Sequence, residues 1–95
     1  MSNMVFRIKI VEDIEQITSG YYTRWTIGLT EDPDRRKEEH KNPAIWYQWQ
    51  ADSQLDAKYI EMYFQGKGMW GFPAEGDEPT YVYIFQLEGT SKVRC

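Results

Sequence analysis

The chain has 95 residues, of which 41% are hydrophobic and 16% aromatic, and its formal net charge at pH 7 is −4. This length suits one small core that Trp, Tyr and Phe must fill in large part, so residues 1–95 are predicted to form a single domain. The acidic balance excludes a protein that holds nucleic acid by an overall positive field, and any such contact must use a local cationic patch.

The N-terminal residues and the cysteine and histidine counts exclude further classes of protein. The short apolar run after Met1 soon reaches Arg7 and Lys9. Neither a signal-peptide core nor a membrane span is therefore predicted, and we expect a cytoplasmic protein without membrane contacts. Cys95 is the only cysteine and His40 the only histidine, which excludes an internal disulfide and a zinc site made of several such residues.

Hydrophobic periodicity predicts the first elements. Residues 5–11 alternate apolar with basic side chains, the period of a strand with one buried face. Ile14 and Ile17 are three residues apart, as in one helical turn, whereas residues 18–20 (Thr-Ser-Gly) are typical of a helix end. Residues 12–20 are therefore predicted to be a connection, helical or not. Residues 22–30 are rich in β-branched and aromatic residues, which predicts a second strand.

Capping patterns predict the two helices. Asp32 is a side-chain N-cap and Pro33 suits the first helical position, so a short helix is predicted over residues 33–41, ending before Pro43. Alternation over residues 45–51 then predicts a third strand. Ser53 with Asp56 resembles a capping box and predicts a longer helix over residues 54–65.

The C-terminal part is predicted to be a loop and a buried strand. Residues 66–79 hold four of the seven glycines and two of the four prolines, which indicates a loop. Residues 80–87 leave little polar surface on either face, as expected for a strand buried on both sides. The order of elements predicts an α+β fold within the broad α/β class, a small mixed and mostly antiparallel sheet with two helices.

One spacing resembles a known family. The segment TIGLT (residues 26–30) is followed by Arg36 and His40, eight and twelve positions after Gly28. This pattern is similar to that of GIY-YIG nucleases, in which an arginine and often a histidine follow a strand glycine at these distances. Because Arg36 and His40 are four residues apart on the predicted helix, they are expected to share one face. The resemblance covers about residues 22–64 and implies a GIY-YIG-like domain.

The resemblance also implies a metal-dependent chemistry. A later helix of the family offers a glutamate to a divalent ion, and Glu61 matches that element, with Mg²⁺ or Mn²⁺ as the implied ion. Arg36 would neutralise developing charge and His40 would manage a proton. The tyrosine of the family's triplet is replaced by Thr26, and Tyr22, four residues earlier on the same predicted strand face, is the substitute phenol.

Further residues are candidates for nucleic-acid contacts. Arg35, Lys37 and Lys41 flank Arg36, although a helix of mixed charge is also typical of a solvated surface. Trp70, on the glycine-rich loop, is a candidate for stacking on bases. Residues 66–71 spell GxGxxG, but they follow a helix rather than a strand, so we expect no organic cofactor.

Three functions stay open at this point. The missing tyrosines favour a divergent GIY-YIG-like domain that binds DNA or RNA with weak or absent nuclease activity. The second function is an active, Mg²⁺-dependent phosphodiesterase or endonuclease. The third is an acidic protein-interaction or inhibitor module, which would contact a protein partner through residues 66–79.

Overall fold

The computed structural model describes residues 7–72, 74 and 76–86. Its elements are α1 (Arg7–Thr18), a 3₁₀ helix (Tyr22–Arg24), β1 (Thr26–Thr30), α2 (Pro33–Glu39), β2 (Ile45–Gln50), α3 (Gln54–Gly66), β3 (Trp70–Gly71) and β4 (Tyr81–Gln86). The predicted α+β class is confirmed, with a four-stranded mixed sheet and with three α-helices where two were expected. Within the described residues, no helix is long and apolar enough to cross a membrane.

The predicted first strand is wrong, because residues 7–11 begin α1. Ile10, Ile14 and Thr18 are buried at intervals of four residues, which places them on one face of a helix. Ile8 is 69% exposed, whereas a half-buried strand would have put it on the same buried face as Ile10. Residues 12–18, predicted as a connection, continue this helix, and residues 5 and 6 lie outside the described part of the chain.

The sheet has the strand order β2-β4-β1-β3. The strand β4 lies between β2 and β1 and is antiparallel to both, whereas β3 is parallel to β1 at one edge. The predicted mostly antiparallel sheet is therefore confirmed. Residues 82–85 of β4 are all buried, as predicted for a strand covered on both sides, and residue 87 lies outside the described part of the chain.

Two predicted boundaries need correction. The second strand begins at Thr26 rather than at residue 22, because Tyr22–Arg24 turns as a 3₁₀ helix before it. The predicted loop over residues 66–79 contains the strand β3, which pairs Trp70 with Thr26 and Gly71 with Ile27. A strand of two residues has no periodicity of its own, and its conformation depends on pairing with β1.

Local capping positions α2 and α3 as the sequence predicts. The Asp32 carboxylate accepts a hydrogen bond from the backbone N–H of Arg35 at 3.2 Å, and the Ser53 hydroxyl accepts one from the N–H of Asp56 at 3.1 Å. The helix α2 ends at Glu39, two residues before its predicted end, because His40 is the C-cap and Lys41 has a φ of 72°, which is not helical. Strand β2 follows at its predicted place.

Alternation along the strands divides the sheet side chains between two faces. The core face packs against α1 and α3 and includes Ile27, Leu29, Val82, Ile84, Ile10, Ile14, Ile60 and Phe64 in one buried cluster. The opposite face, here called the α2 face, carries Thr26, Gly28, Trp46, Tyr83 and Phe85, the strand residues of opposite parity. These two faces separate the main packing core from the side of the sheet on which α2 lies.

Candidate functional site on the α2 face

A glycine on β1 makes room for a tyrosine on β4. Gly28 and Tyr83 lie directly opposite each other in the antiparallel pair. A Cβ at position 28 would overlap the hydroxyl oxygen of Tyr83 and lie 2.5 Å from its Cζ atom. Tyr83 is fully buried, so its ring has no open space into which it could move away. The observed position of the Tyr83 ring therefore requires a glycine at position 28.

The Tyr83 hydroxyl joins two residues of the α2 region. Arg36 donates a hydrogen bond from Nε to this oxygen at 3.2 Å, and Nε2 of His40 lies 3.0 Å from it. Both contacts are satisfied when the phenol accepts from Arg36 and donates to His40, with the imidazole proton on Nδ1. Arg36 and His40 reach the same oxygen, as expected for residues on one side of α2, although His40 is the C-cap residue that follows the helix.

The guanidinium of Arg36 has a defined orientation. Its Nη1 atom donates to Oε1 of Glu39 at 2.9 Å, in addition to the bond from Nε to Tyr83. The side chain of Arg36 is only 17% exposed. A guanidinium is planar and carries five N–H donors, so two bonds from different nitrogen atoms fix its plane. The group is thus held at the surface of the α2 face before any ligand arrives.

Aromatic rings surround the same hydroxyl and imidazole. Trp46 stacks on Tyr83 with ring centroids 4.6 Å apart and an angle of 8° between the planes. Phe85 and Phe72 each lie 4.6 Å from the His40 ring. We call Arg36, His40, Trp46, Phe72, Tyr83 and Phe85 the Tyr83 cluster. Its members come from α2 and the residue after it, from β2 and β4, and from the segment after β3.

Tyr22, the predicted substitute phenol, lies elsewhere. Its ring packs 5.8 Å from Phe64, against the buried cluster of the core face. The prediction that Tyr22 shares a face with Thr26 assumed a continuous strand, and strand parity does not hold across the 3₁₀ helix. The structure therefore does not bring Tyr22 to Arg36 and His40.

Glu61, the predicted metal ligand, is buried on α3 with 3% of its surface exposed. Its carboxylate lies 3.4 Å from Nζ of Lys58, and it forms this hydrogen bond and ion pair rather than one with Arg36 or His40. Burial raises the pKa of Glu61, and the nearby Lys58 ammonium opposes this shift more weakly. The structure does not place Glu61 in the Tyr83 cluster.

The surroundings of Glu61 do not fit a divalent ion. Mg²⁺ prefers several oxygen ligands and keeps some of its water, whereas Glu61 is almost inaccessible and is already paired with an ammonium group. Among the residues that the structure describes, no group of three or more His, Cys, Asp or Glu residues could hold a metal ion.

The predicted contact residues lie on α2, just after it and on β3. Arg35 and Lys37 lie on α2 and Lys41 follows it, and Arg35 forms a 3.9 Å ion pair with Glu39. Trp70 is paired with Thr26, which places it on the α2 face, and it is 52% exposed. The structure therefore brings the three cations and Trp70 to the same side of the sheet as Arg36 and His40.

Sequence reasoning missed Tyr83, the residue that joins the site. Tyr83 is 47 residues from Arg36 and 43 from His40, and it lies on a strand that was predicted only as buried. One signal was present, because a glycine inside a strand often marks a place where another group approaches closely. Gly28 is such a glycine. The sequence alone does not identify Tyr83 as the group that approaches it, because this depends on the strand order.

No protein-family model, curated protein or solved structure matched this chain when it was compared with each. The resemblance to GIY-YIG nucleases therefore rests on the spacing of Gly28, Arg36, His40 and Glu61.

Proposed function

We propose that the α2 face binds the phosphodiester backbone of nucleic acid, with weak or absent cleavage. The observation that carries this proposal is the convergence of Arg36 and His40 on the buried hydroxyl of Tyr83. A preorganised guanidinium suits phosphate because its planar donors match two phosphate oxygens. An imidazole beside it adds a second donor for the same type of ligand.

The local charge also supports phosphate binding. The stretch from residue 34 to residue 41 has four cationic side chains against three acidic ones, in a chain whose net charge is −4. The cations are Arg35, Arg36, Lys37 and Lys41. The excess is one positive charge, and an acidic protein that contacts nucleic acid depends on such local cations.

The burial of Tyr83 favours binding over cleavage. A phenol that acts on a phosphodiester must touch the reacting phosphate, whereas Tyr83 is fully buried and lies against Trp46. Its hydroxyl is already bonded to Arg36 and His40. Tyr83 is therefore a positioning residue in this proposal, and Arg36 and His40 are the groups that contact the ligand.

The position of Tyr83 also supports a divergent GIY-YIG-like domain. The resemblance implies a phenol beside Arg36 and His40, and Thr26 stands where the family has its tyrosine. Here β4, from the C-terminal part of the chain, pairs antiparallel with β1 and brings Tyr83 opposite Gly28. We propose that Tyr83 supplies this phenol from a different place in the sequence.

Fluorescence anisotropy with labelled single-stranded and duplex oligonucleotides at about 50 mM salt tests the proposal, because phosphate contacts are strongest at low salt. We expect Arg36→Gln to weaken binding about tenfold, the loss of a charged hydrogen bond. Arg7→Gln is the matched control, since Arg7 pairs with Asp56 and lies over Tyr59, both on α3. Absence of binding to every oligonucleotide would overturn the proposal and favour the protein-interaction module.

Active cleavage is a second candidate, which one observation favours. The 3.0 Å contact between Nε2 of His40 and the Tyr83 hydroxyl is short enough for proton transfer. Incubation of labelled DNA or RNA with Mg²⁺ or Mn²⁺ tests this candidate, with His40→Ala and Glu61→Ala as variants. Cleavage lost in His40→Ala would support it, and cleavage that survives both substitutions would indicate a contaminating nuclease.

A further inference from the structure

Two partly exposed rings lie on the α2 face, and one of them, Phe72, belongs to the Tyr83 cluster. Trp70 is 52% exposed and Phe72 is 39% exposed. Trp70 is on the α2 face because it is paired with Thr26, and Phe72 is there because it contacts His40. The two rings are only two residues apart, so the segment around β3 presents a pair of aromatic side chains on the α2 face, with Phe72 against His40.

Both rings are held in place by neighbouring groups. The indole N–H of Trp70 donates to the backbone oxygen of Thr23 at 3.1 Å. The ring of Phe72 meets the His40 ring nearly edge-on, at 68°, and lies 6.3 Å from Phe85. Rings that are already oriented lose little conformational freedom when a flat ligand stacks on them.

We infer that this face binds unpaired nucleic acid, whose bases stack on Trp70 and Phe72 while the backbone phosphates meet Arg36 and the neighbouring cations. The inference rests on the proposed function and specifies its substrate class. Aromatic rings together with cationic side chains are a combination that binds single strands, because every base has a flat face that can stack.

Duplex nucleic acid cannot use these rings in the same way. The bases of a duplex are stacked on one another and paired, so an exposed aromatic side chain reaches their faces only after the strand has opened. The contact uses base faces and phosphate oxygens, which DNA and RNA share. The expected preference is therefore for single strands over duplexes, with either sugar.

Anisotropy titrations of the whole protein with four labelled ligands test the inference. The ligands are oligothymidylate and oligouridylate of about 12 nucleotides, a duplex of the same length, and a single strand of the same length that lacks bases. We expect both strands with bases to bind about tenfold more tightly than the duplex and the abasic strand. Trp70→Ala should remove that advantage, and Trp70→Tyr should keep most of it.

Tyr59→Leu is the control, since Tyr59 is also exposed and lies beneath a guanidinium, but on α3. It should leave all four affinities unchanged. If the abasic strand or the duplex binds as tightly as the strands with bases, the stacking inference is overturned while phosphate binding stands. This comparison uses the unmodified protein, so it remains decisive if a Trp70 variant does not fold. If no ligand binds at about 50 mM salt, the proposed function fails as well.

Discussion

Gly28 and Tyr83 face each other across the β1–β4 pair, and the Tyr83 hydroxyl occupies the space that a side chain at position 28 would need. The same hydroxyl binds Arg36 and His40. The position of α2 over the sheet, and with it the position of both candidate ligand-binding residues, is thus linked to the absence of one Cβ atom on β1.

The first prediction concerns this close approach. Gly28→Ala should lower the free energy of unfolding by about 1–3 kcal/mol, because the new methyl group overlaps a buried ring that has nowhere to move. Denaturant unfolding measures the change. Gly66→Ala is the control: it adds a methyl group in the last turn of α3 with nothing within 4 Å, and should be neutral or slightly stabilising. Equal stability of Gly28→Ala and the unmodified protein would contradict the packing described here.

The second prediction concerns the buried hydroxyl. Tyr83→Phe should cost about 1.5–3 kcal/mol of stability, since it removes the partner of a charged donor and of an imidazole. It should also weaken oligonucleotide binding, because Arg36 loses one of the bonds that orient it. Tyr81→Phe, on the same strand, is the control and should change neither quantity. A Tyr83→Phe variant with normal stability and affinity would show that the hydroxyl does not position Arg36.

The third prediction concerns Glu61 and pH. Burial raises the pKa of this carboxyl above its ordinary value of 4.5, so the folded state favours the neutral form. The stability that this group contributes is therefore fully present below the ordinary pKa and is lost as pH rises through the raised one. Glu61→Gln mimics the neutral form at every pH. It should raise the free energy of unfolding at about pH 7, with a gain that shrinks toward about pH 4.

Denaturant unfolding over this pH range measures the effect, and Glu12→Gln on the exposed side of α1 serves as the control. A Glu61→Gln variant that is less stable at neutral pH would mean that the ion pair with Lys58 outweighs the cost of burial. Thermal unfolding with and without Mg²⁺ adds a separate check of the metal-ligand role. Stabilisation of the unmodified protein by Mg²⁺, lost in Glu61→Gln, would restore Glu61 as a ligand.

Features with short-range signals were predictable from the sequence. Asp32 and Ser53 cap their helices by contacts three residues away, and both hydrogen bonds are present. The four-residue spacing of Arg36 and His40 predicts that their side chains lie on the same side, and both reach the Tyr83 hydroxyl. By contrast, residues 7–10 fit both a strand and the first turn of a helix, and the exposure of Ile8 with the burial of Ile14 decides between them.

Features that depend on distant pairing were not predictable. Tyr83 meets Gly28 only because β4 enters the sheet between β1 and β2, and no local pattern gives a strand order. The strand β3 has two residues and exists through its pairing with β1. Tyr22 was placed by strand parity that the 3₁₀ helix interrupts. Of the three residues joined at the candidate site, Arg36 and His40 were thus predictable from the sequence and Tyr83 was not.

The most direct test of nucleic-acid binding on the α2 face uses the four tryptophans as reporters. Trp46 and Trp70 lie on the α2 face, whereas Trp25 and Trp49 pack on the core face. In ¹H–¹⁵N NMR spectra, addition of single-stranded oligothymidylate should shift the indole N–H signals of Trp46 and Trp70 and leave those of Trp25 and Trp49 in place. Shifts confined to Trp25 and Trp49, or no shifts at all, would contradict the proposed site.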